Sequence, residues 1–197
     1  MVTKELFGLL AAALTFISYA PYFRSIIKGQ TKPHIFTWLI WTLATGVVCA
    51  AQYKSGAGAG AWATGFTCFL SVIVTVIALI RGEKSVTRSD WVAFLGSLSA
   101  IPVWYVTHEP LPAVILITFI DGVAYFPTLR KSVTKPYEEA VIFYILSNVK
   151  HVCTLLAMGS YSLTTTLYPA TLIGMNSLLI FILLLQRFLR KKYKGSQ

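Results

Sequence analysis

Charge is what this chain has least of. Asp, Glu, Lys and Arg make up 12% of its 197 residues, against 56% hydrophobic ones. That excludes an ordinary water-soluble domain, in which about a quarter of residues are charged. Acid is the scarcer sign, with 7 Asp and Glu against 17 Lys and Arg. Cysteine is limited to Cys49, Cys68 and Cys153. Their odd number and their positions inside apolar runs exclude a disulfide framework or metal spacing, and they read as packing residues. The stretch Gly-Ala-Gly-Ala-Gly from Gly56 is not followed by Gly-Lys-Ser/Thr, so a nucleotide loop is excluded. Neither a helical His pair with Glu, nor a nucleophile elbow, nor paired aspartates occur, and His34, His108 and His151 are scattered. No enzyme activity, metal or cofactor is expected.

What is abundant is apolar run length. Seven runs stand out, over residues 6–23, 34–53, 60–80, 91–106, 111–129, 137–158 and 163–185. A bilayer core takes ~20 helical residues, so these read as seven spans of an all-α integral membrane protein. The fourth run is the shortest and is broken by Pro102. The first has some look of a signal peptide, but its counterpart in the repeat described below is an internal span, so it is kept as a helix.

The few charges are sorted by side. Arg24, Lys28 and Lys32 follow the first run, Arg81, Lys84 and Arg88 the third, Arg130, Lys131 and Lys135 the fifth, and Arg187, Arg190, Lys191, Lys192 and Lys194 the last, while only Lys4 and Lys54 fall on the other side. The positive-inside rule then puts the amino terminus outside and the carboxyl terminus in the cytoplasm of a plasma membrane, such as a bacterial inner membrane. A formal net charge of +10 is thereby a topology signal, and no nucleic-acid partner is expected.

Two segments repeat. SYAPYFRSIIKGQTKP from Ser18 is answered by AYFPTLRKSVTKP from Ala124, both reading Tyr-x-Pro-x-x-Arg and then Thr-Lys-Pro: Tyr19, Pro21, Arg24, Thr31, Lys32, Pro33 against Tyr125, Pro127, Arg130, Thr134, Lys135, Pro136. The offset is 106 at the proline and 103 at Thr-Lys-Pro, so the second copy has lost loop residues. An internal repeat decides architecture before any single residue does. The expected organisation is a three-helix repeat over 1–81, a linker helix over 82–109, a second three-helix repeat over 110–190 and a basic tail over 191–197. An odd linker makes the repeats parallel, a plan whose substrate site lies near the midplane between them.

On these residues the chain resembles the SWEET and PQ-loop family of membrane transporters. The family's Pro-Gln stands here as Pro21-Tyr22 and Pro127-Thr128. The resemblance implies a 3+1+3 fold, alternating access around a midplane cavity, and pocket roles for Trp41, resembling the family's substrate-stacking tryptophans, and for Asn176, resembling its seventh-span asparagine.

Ionisable and amide groups inside spans are costly and face a cavity or a partner. On the sixth span Tyr144, Ser147, Asn148, Lys150, His151 and Thr154 fall within about 160° of the helix, with Val141, Ile142, Ile145, Leu146, Val149, Val152, Cys153 and Leu156 opposite. At ~1.5 Å per residue, Asp121, Asn148 and Asn176 lie ~14, ~18 and ~17 Å from the basic ends of their spans, near the middle of a ~30 Å core. Lys150 and His151 follow just beyond.

Asp121 has two readings, a cavity group that binds a cation or takes up a proton, or a fixed ion pair with Lys150. Lys150 either lines the cavity or snorkels outward. His151 is a titrating group or a hydrogen-bonded packing residue, and Asn176 a pocket or an interhelical hydrogen bond. In the first repeat Thr37, Trp38, Trp41, Thr42, Thr45 and Gln52 share about 140° of the second span. The 103 offset sets Trp41 against Tyr144 and Thr45 against Asn148. Pro21 and Pro127 each remove a helical hydrogen bond, as a hinge or as simple helix termination.

The expected activity is transport of a small polar solute, zwitterionic or anionic, an amino or organic acid, with proton coupling. The alternatives are a sugar facilitator of the same fold and a non-transporting receptor or sorting protein. Partners are the solute and the lipid bilayer, and self-association is left open.

Overall fold

The computed structural model describes residues 2–29, 32–82, 86–134, 136–137 and 139–194. Thr31, Lys84 and Lys135, which carry part of the repeat and charge arguments, lie outside these residues, as do 195–197 of the basic tail. For Pro127, Lys131, Lys192 and Lys194 only the backbone is described.

Among the described residues the chain is helical throughout and has no strand. The helices are α1 (Val2–Ile27), α2 (Ile35–Lys54), α3 (Trp62–Arg81), α4 (Arg88–Leu98), α5 (Ala100–Thr107), α6 (Pro110–Ala124), α7 (Phe126–Thr134), α8 (Val141–Leu156) and α9 (Leu163–Lys194), with a 3-10 turn at Gly58–Ala61. Five helical stretches, Thr3–Ile27, Ile35–Lys54, Gly58–Arg81, Pro110–Thr134 and Leu163–Lys191, are long and apolar enough to cross a membrane, and Val141–Leu156 is a shorter apolar helix. The surface agrees with a lipid environment. Leu9, Phe69, Val92, Phe119, Ile142 and Phe181 stand exposed, while Thr15, Gln52, Ser71, Thr165 and Asn176 are fully buried. Large apolar side chains outside, with polar ones sharing the interior with an apolar core, is a distribution that water penalises and hydrocarbon does not.

Prolines set where helices break. The fourth apolar run divides at Ser99 into α4 and α5, neither long enough to cross a membrane alone, because Pro102 has no N–H for the carbonyl four residues back. The ladder resumes with Val103 N–H donating to the Ser99 carbonyl at 3.1 Å. Span five divides in the same way at Tyr125, with Pro127 in the first turn of α7, where a missing amide costs nothing. α1, by contrast, runs unbroken through Pro21. The basic stretch 191–194 is helical and continues α9 to Lys194.

Packing follows a double pattern. α3 lies between α1 and α2, and α9 lies between α6 and α8. Across the middle α1 packs on α8 and α2 on α6, while α4 and α5 cover α2 and α6. The crossing contacts are made by small side chains, Ala11, Ala63 and Cys153 in one cluster and Ala44, Ala51, Ala100 and Ala113 in another. Small residues let helices approach closely where no hydrophobic effect drives them together.

The two ends of the bundle differ. At one, here the glycine end, Gly56 and Gly58 take φ of +77° and +57°, which only glycine adopts without strain. Their turn lies against 158–160, so that Gly159 N–H donates to the Ala57 carbonyl at 2.7 Å. Lys4 Nζ donates to the Gly159 carbonyl at 3.4 Å and Gln52 Nε2 to the Thr165 carbonyl at 3.1 Å. At the opposite, basic end, Arg187 donates to the carbonyls of Pro136 and Glu139 at 2.9 and 2.7 Å and Arg190 to that of Thr134 at 2.6 Å. Beside them α4 starts with a capping box in which Thr87 and Asp90 bond reciprocally. Two N–H and O–H donors from Thr87, with His34 Nε2 at 3.9 Å from the carboxylate, hold the Asp90 carboxyl below its usual range.

Candidate functional site

The α8 pattern orients that helix as its sequence spacing implies. Ile142, Ile145, Val149, Val152 and Leu156 are exposed, and the opposite side faces the bundle. There Lys150, His151 and Thr154 meet Thr45 of α2, Ala63, Thr64 and Thr67 of α3, and Tyr168 and Leu172 of α9 around a cavity of about 40 Å³. That is space for roughly one water molecule. It lies about one helical turn, ~5 Å, beneath the glycine-end contact, since Thr64 is four residues past Gly60 of the 3-10 turn and Thr154 four before Met158. Two larger hollows are open: one of about 590 Å³ between α2 and α5, mainly apolar but with Thr42, Lys54, Tyr105 and His108 in its lining, and one of about 520 Å³ between α6 and α9, almost wholly apolar. The ammonium of Lys54 in the first of these is taken up by the His108 carbonyl at 3.3 Å and the Trp104 ring. In the first hollow the Lys54 ammonium and the Thr42 hydroxyl, bonded to Thr75 at 3.0 Å, are already engaged, and the second is apolar, so the enclosed polar cavity is the candidate site.

Its hydrogen bonds can be accounted for group by group. Thr45 Oγ1 donates to the Trp41 carbonyl at 2.6 Å, Thr67 to Ala63 at 2.8 Å and Thr154 to Lys150 at 3.0 Å. Each proton is thus turned back onto its own helix. Tyr168 OH donates to Asp121 Oδ2 at 2.8 Å. Among the described residues no partner engages Lys150 Nζ, the buried His151 ring or the Thr64 hydroxyl.

The expected single polar layer therefore divides. Asp121 reaches the cavity only through Tyr168, and among the described residues it forms no ion pair with Lys150. Asn148 Nδ2 donates to Ser177 Oγ at 3.0 Å and Asn176 Nδ2 to Ser147 Oγ at 3.1 Å, a crossed clamp between α8 and α9. Asn176 Oδ1 also accepts from Tyr125 OH at 3.0 Å, so this side chain serves as an interhelical bond. Tyr144 OH donates to Glu139. Trp41, 41% exposed, stacks edge-on against Trp38 at 5.0 Å, and no ring contact with Tyr144 occurs among the described residues. Trp38 itself is buried, with Nε1 donating to Tyr22 OH at 3.0 Å. It is a packing residue within the first repeat.

Both Tyr-x-Pro tyrosines have one role. Tyr19 OH bonds Ser71 Oγ at 3.0 Å as Tyr125 OH bonds Asn176 at 3.0 Å, each tying the first helix of its repeat to the third. Tyr168, Ala63 and Leu172 are the cavity residues that spacing did not single out, whereas Thr64 and Thr67 share a helical spacing on α3 with Ser71 and Thr75. An aromatic with a polar tip beside Pro169, deep in an apolar run, was the available signal for Tyr168. Comparison with known protein families, with curated proteins and with solved structures found no match to this chain.

Proposed function

We propose that the protein is a small-polar-solute transporter of the 3+1+3 SWEET and PQ-loop type, working by alternating access. The observation that carries it is the position of the cavity: a donor-rich polar void on the seam between two helix triplets of matching packing order. α4 and α5 together form the linker span in this reading, and α8 the sixth.

Rocking of one triplet against the other would open the seam at alternate ends. With the basic end cytoplasmic, the glycine-end contacts form an outer seal, and the described conformation is closed to the outside of a plasma membrane. Both acid and base lie within one hydrogen bond of the cavity, Asp121 through Tyr168, which motivates proton coupling. The reading is tested by uptake of amino acids, organic acids and sugars into liposomes carrying the purified protein, with and without a pH gradient. Flux of one class above protein-free liposomes is the expected result. Uptake insensitive to the gradient, with Asp121→Asn transporting normally, refutes coupling. Binding of a solute without any flux puts a receptor of the same fold in place of a transporter.

A further inference from the structure

The cavity is one-sided in its chemistry. Lys150 Nζ, the His151 ring and the Thr64 hydroxyl are three donor groups without an acceptor among the described residues, and His151 and Thr64 are 7% and 8% exposed. The acid bonded to the cavity lining, Asp121, already accepts from Tyr168 at 2.8 Å. Lys150 is half-buried, and an ammonium set in a bundle interior without counter-charge is expensive, so a ligand that supplies the charge recovers part of that cost on binding. An amine would meet Lys150 with like charge, and a neutral hydroxyl would leave the ammonium uncompensated. A carboxylate offers about four lone-pair sites to converging donors, and its head group is of the size that about 40 Å³ admits.

We infer that the cavity binds the carboxylate head of a small organic anion, held by Lys150, His151 and Thr64. This rests on the cavity being the solute site proposed above.

The test is thermal unfolding of the full chain in detergent, titrated with sodium acetate, sodium lactate or disodium succinate against sodium chloride, glycerol and ethanolamine hydrochloride. At least one carboxylate is expected to raise the melting temperature beyond chloride at equal sodium. In Lys150→Gln the apparent affinity for it should fall about tenfold or more, the weight of one charged hydrogen bond, with Lys150→Arg weakened less. Without ligand, Lys150→Gln should melt no lower than wild type, because it removes an uncompensated charge; a much lower melting point would mean that Lys150 has a counter-charge, and the inference fails. It fails equally if no carboxylate binds better than chloride, if glycerol or ethanolamine binds instead, or if Lys150→Gln binds carboxylates as wild type does. Binding in detergent needs no translocation. Carboxylate binding without flux upholds the anion site and overturns only the transport reading, whereas flux of a neutral solute with no carboxylate binding overturns the anion site alone.

Discussion

Replacing Gly60 by alanine probes whether the glycine-end contact is a seal that opens. A Cβ added there would fall 2.5 Å from Met158 Sδ and 3.0 Å from Met158 Cα. The sulfur can swing aside, being the end of a flexible side chain, but the Cα is backbone and has to be displaced. Overpacking of this kind costs about 1–3 kcal/mol. If the contact exists in only one of two conformations, that cost falls on the sealed one alone and shifts the equilibrium toward the open one by about 5- to 150-fold. The assay is labelling of Thr64→Cys, about one turn beneath the contact, by a membrane-impermeant maleimide in a background with Cys49, Cys68 and Cys153 replaced. Gly60→Ala should raise the labelling rate by a factor in that range. Gly174→Ala is the matched control: nothing lies within 4 Å of its added Cβ, so melting should hold or improve by about 0.5–1 kcal/mol, with labelling unchanged. A Gly60→Ala protein that melts lower yet labels at the wild-type rate would show the contact to be static packing and refute the reasoning.

Tyr125→Phe should cost about 1–3 kcal/mol in thermal or denaturant unfolding, because it strips the Asn176 carbonyl oxygen inside the bundle. Tyr19→Phe should cost less, since the Ser71 hydroxyl can turn to a carbonyl of its own helix. Arg187→Lys should destabilise by about 1–2 kcal/mol although charge is kept, because the guanidinium bonds two carbonyls and stacks 5.4 Å over the Tyr137 ring. Asp90 has its folded pKa held below the unfolded value of ~3.9. Its stabilisation is therefore complete above about pH 4 and is lost as pH falls through the folded value, so the melting difference between wild type and Asp90→Ala should be flat near neutrality and vanish in stronger acid.

Positions along helix axes were legible in the sequence, and positions around them only in part. The rise of ~1.5 Å per residue is a property of the chain alone, and it set Asp121, Asn148 and Asn176 at similar depth. Which neighbour each side chain meets depends on tilt and crossing angle, which belong to packing. So the lipid face of α8 and the break near Pro102 could be read from spacing, and Thr45, Lys150 and His151 do line one cavity. Pairing could not be read. Asp121 bonds Tyr168, a residue without a repeat counterpart to mark it, and Trp41 turns to Trp38. The basic residues had a second role as well. Arg187 and Arg190, counted for topology, also hold the carbonyls of the Thr134–Glu139 turn.

The two copies of the repeat match in packing and differ at the proline, and that difference bears on how such a bundle could move. In the second copy the ladder is interrupted at Tyr125 and resumes where Leu129 N–H donates to the Tyr125 carbonyl at 2.9 Å. The missing amide of Pro127 therefore falls at a break that already exists, and bending there strains no continuous helix. In the first copy α1 continues through Pro21, so the Ile17 carbonyl loses its partner and the ring presses on it, at a cost of ~3 kcal/mol in an ordinary helix interior. A local bend would relieve part of that cost, and the Ser18 hydroxyl bonding the Leu14 carbonyl at 2.7 Å favours bending at the same turn. A straight and a bent α1 are then closer in energy than in a proline-free helix. Pro21→Ala should raise the melting temperature and lower solute flux, the helix having gained the hydrogen bond whose absence held the two conformations near balance. If flux is unchanged while stability rises, bending at Pro21 is no part of the cycle, and the break at Tyr125 is left as the hinge of the pair.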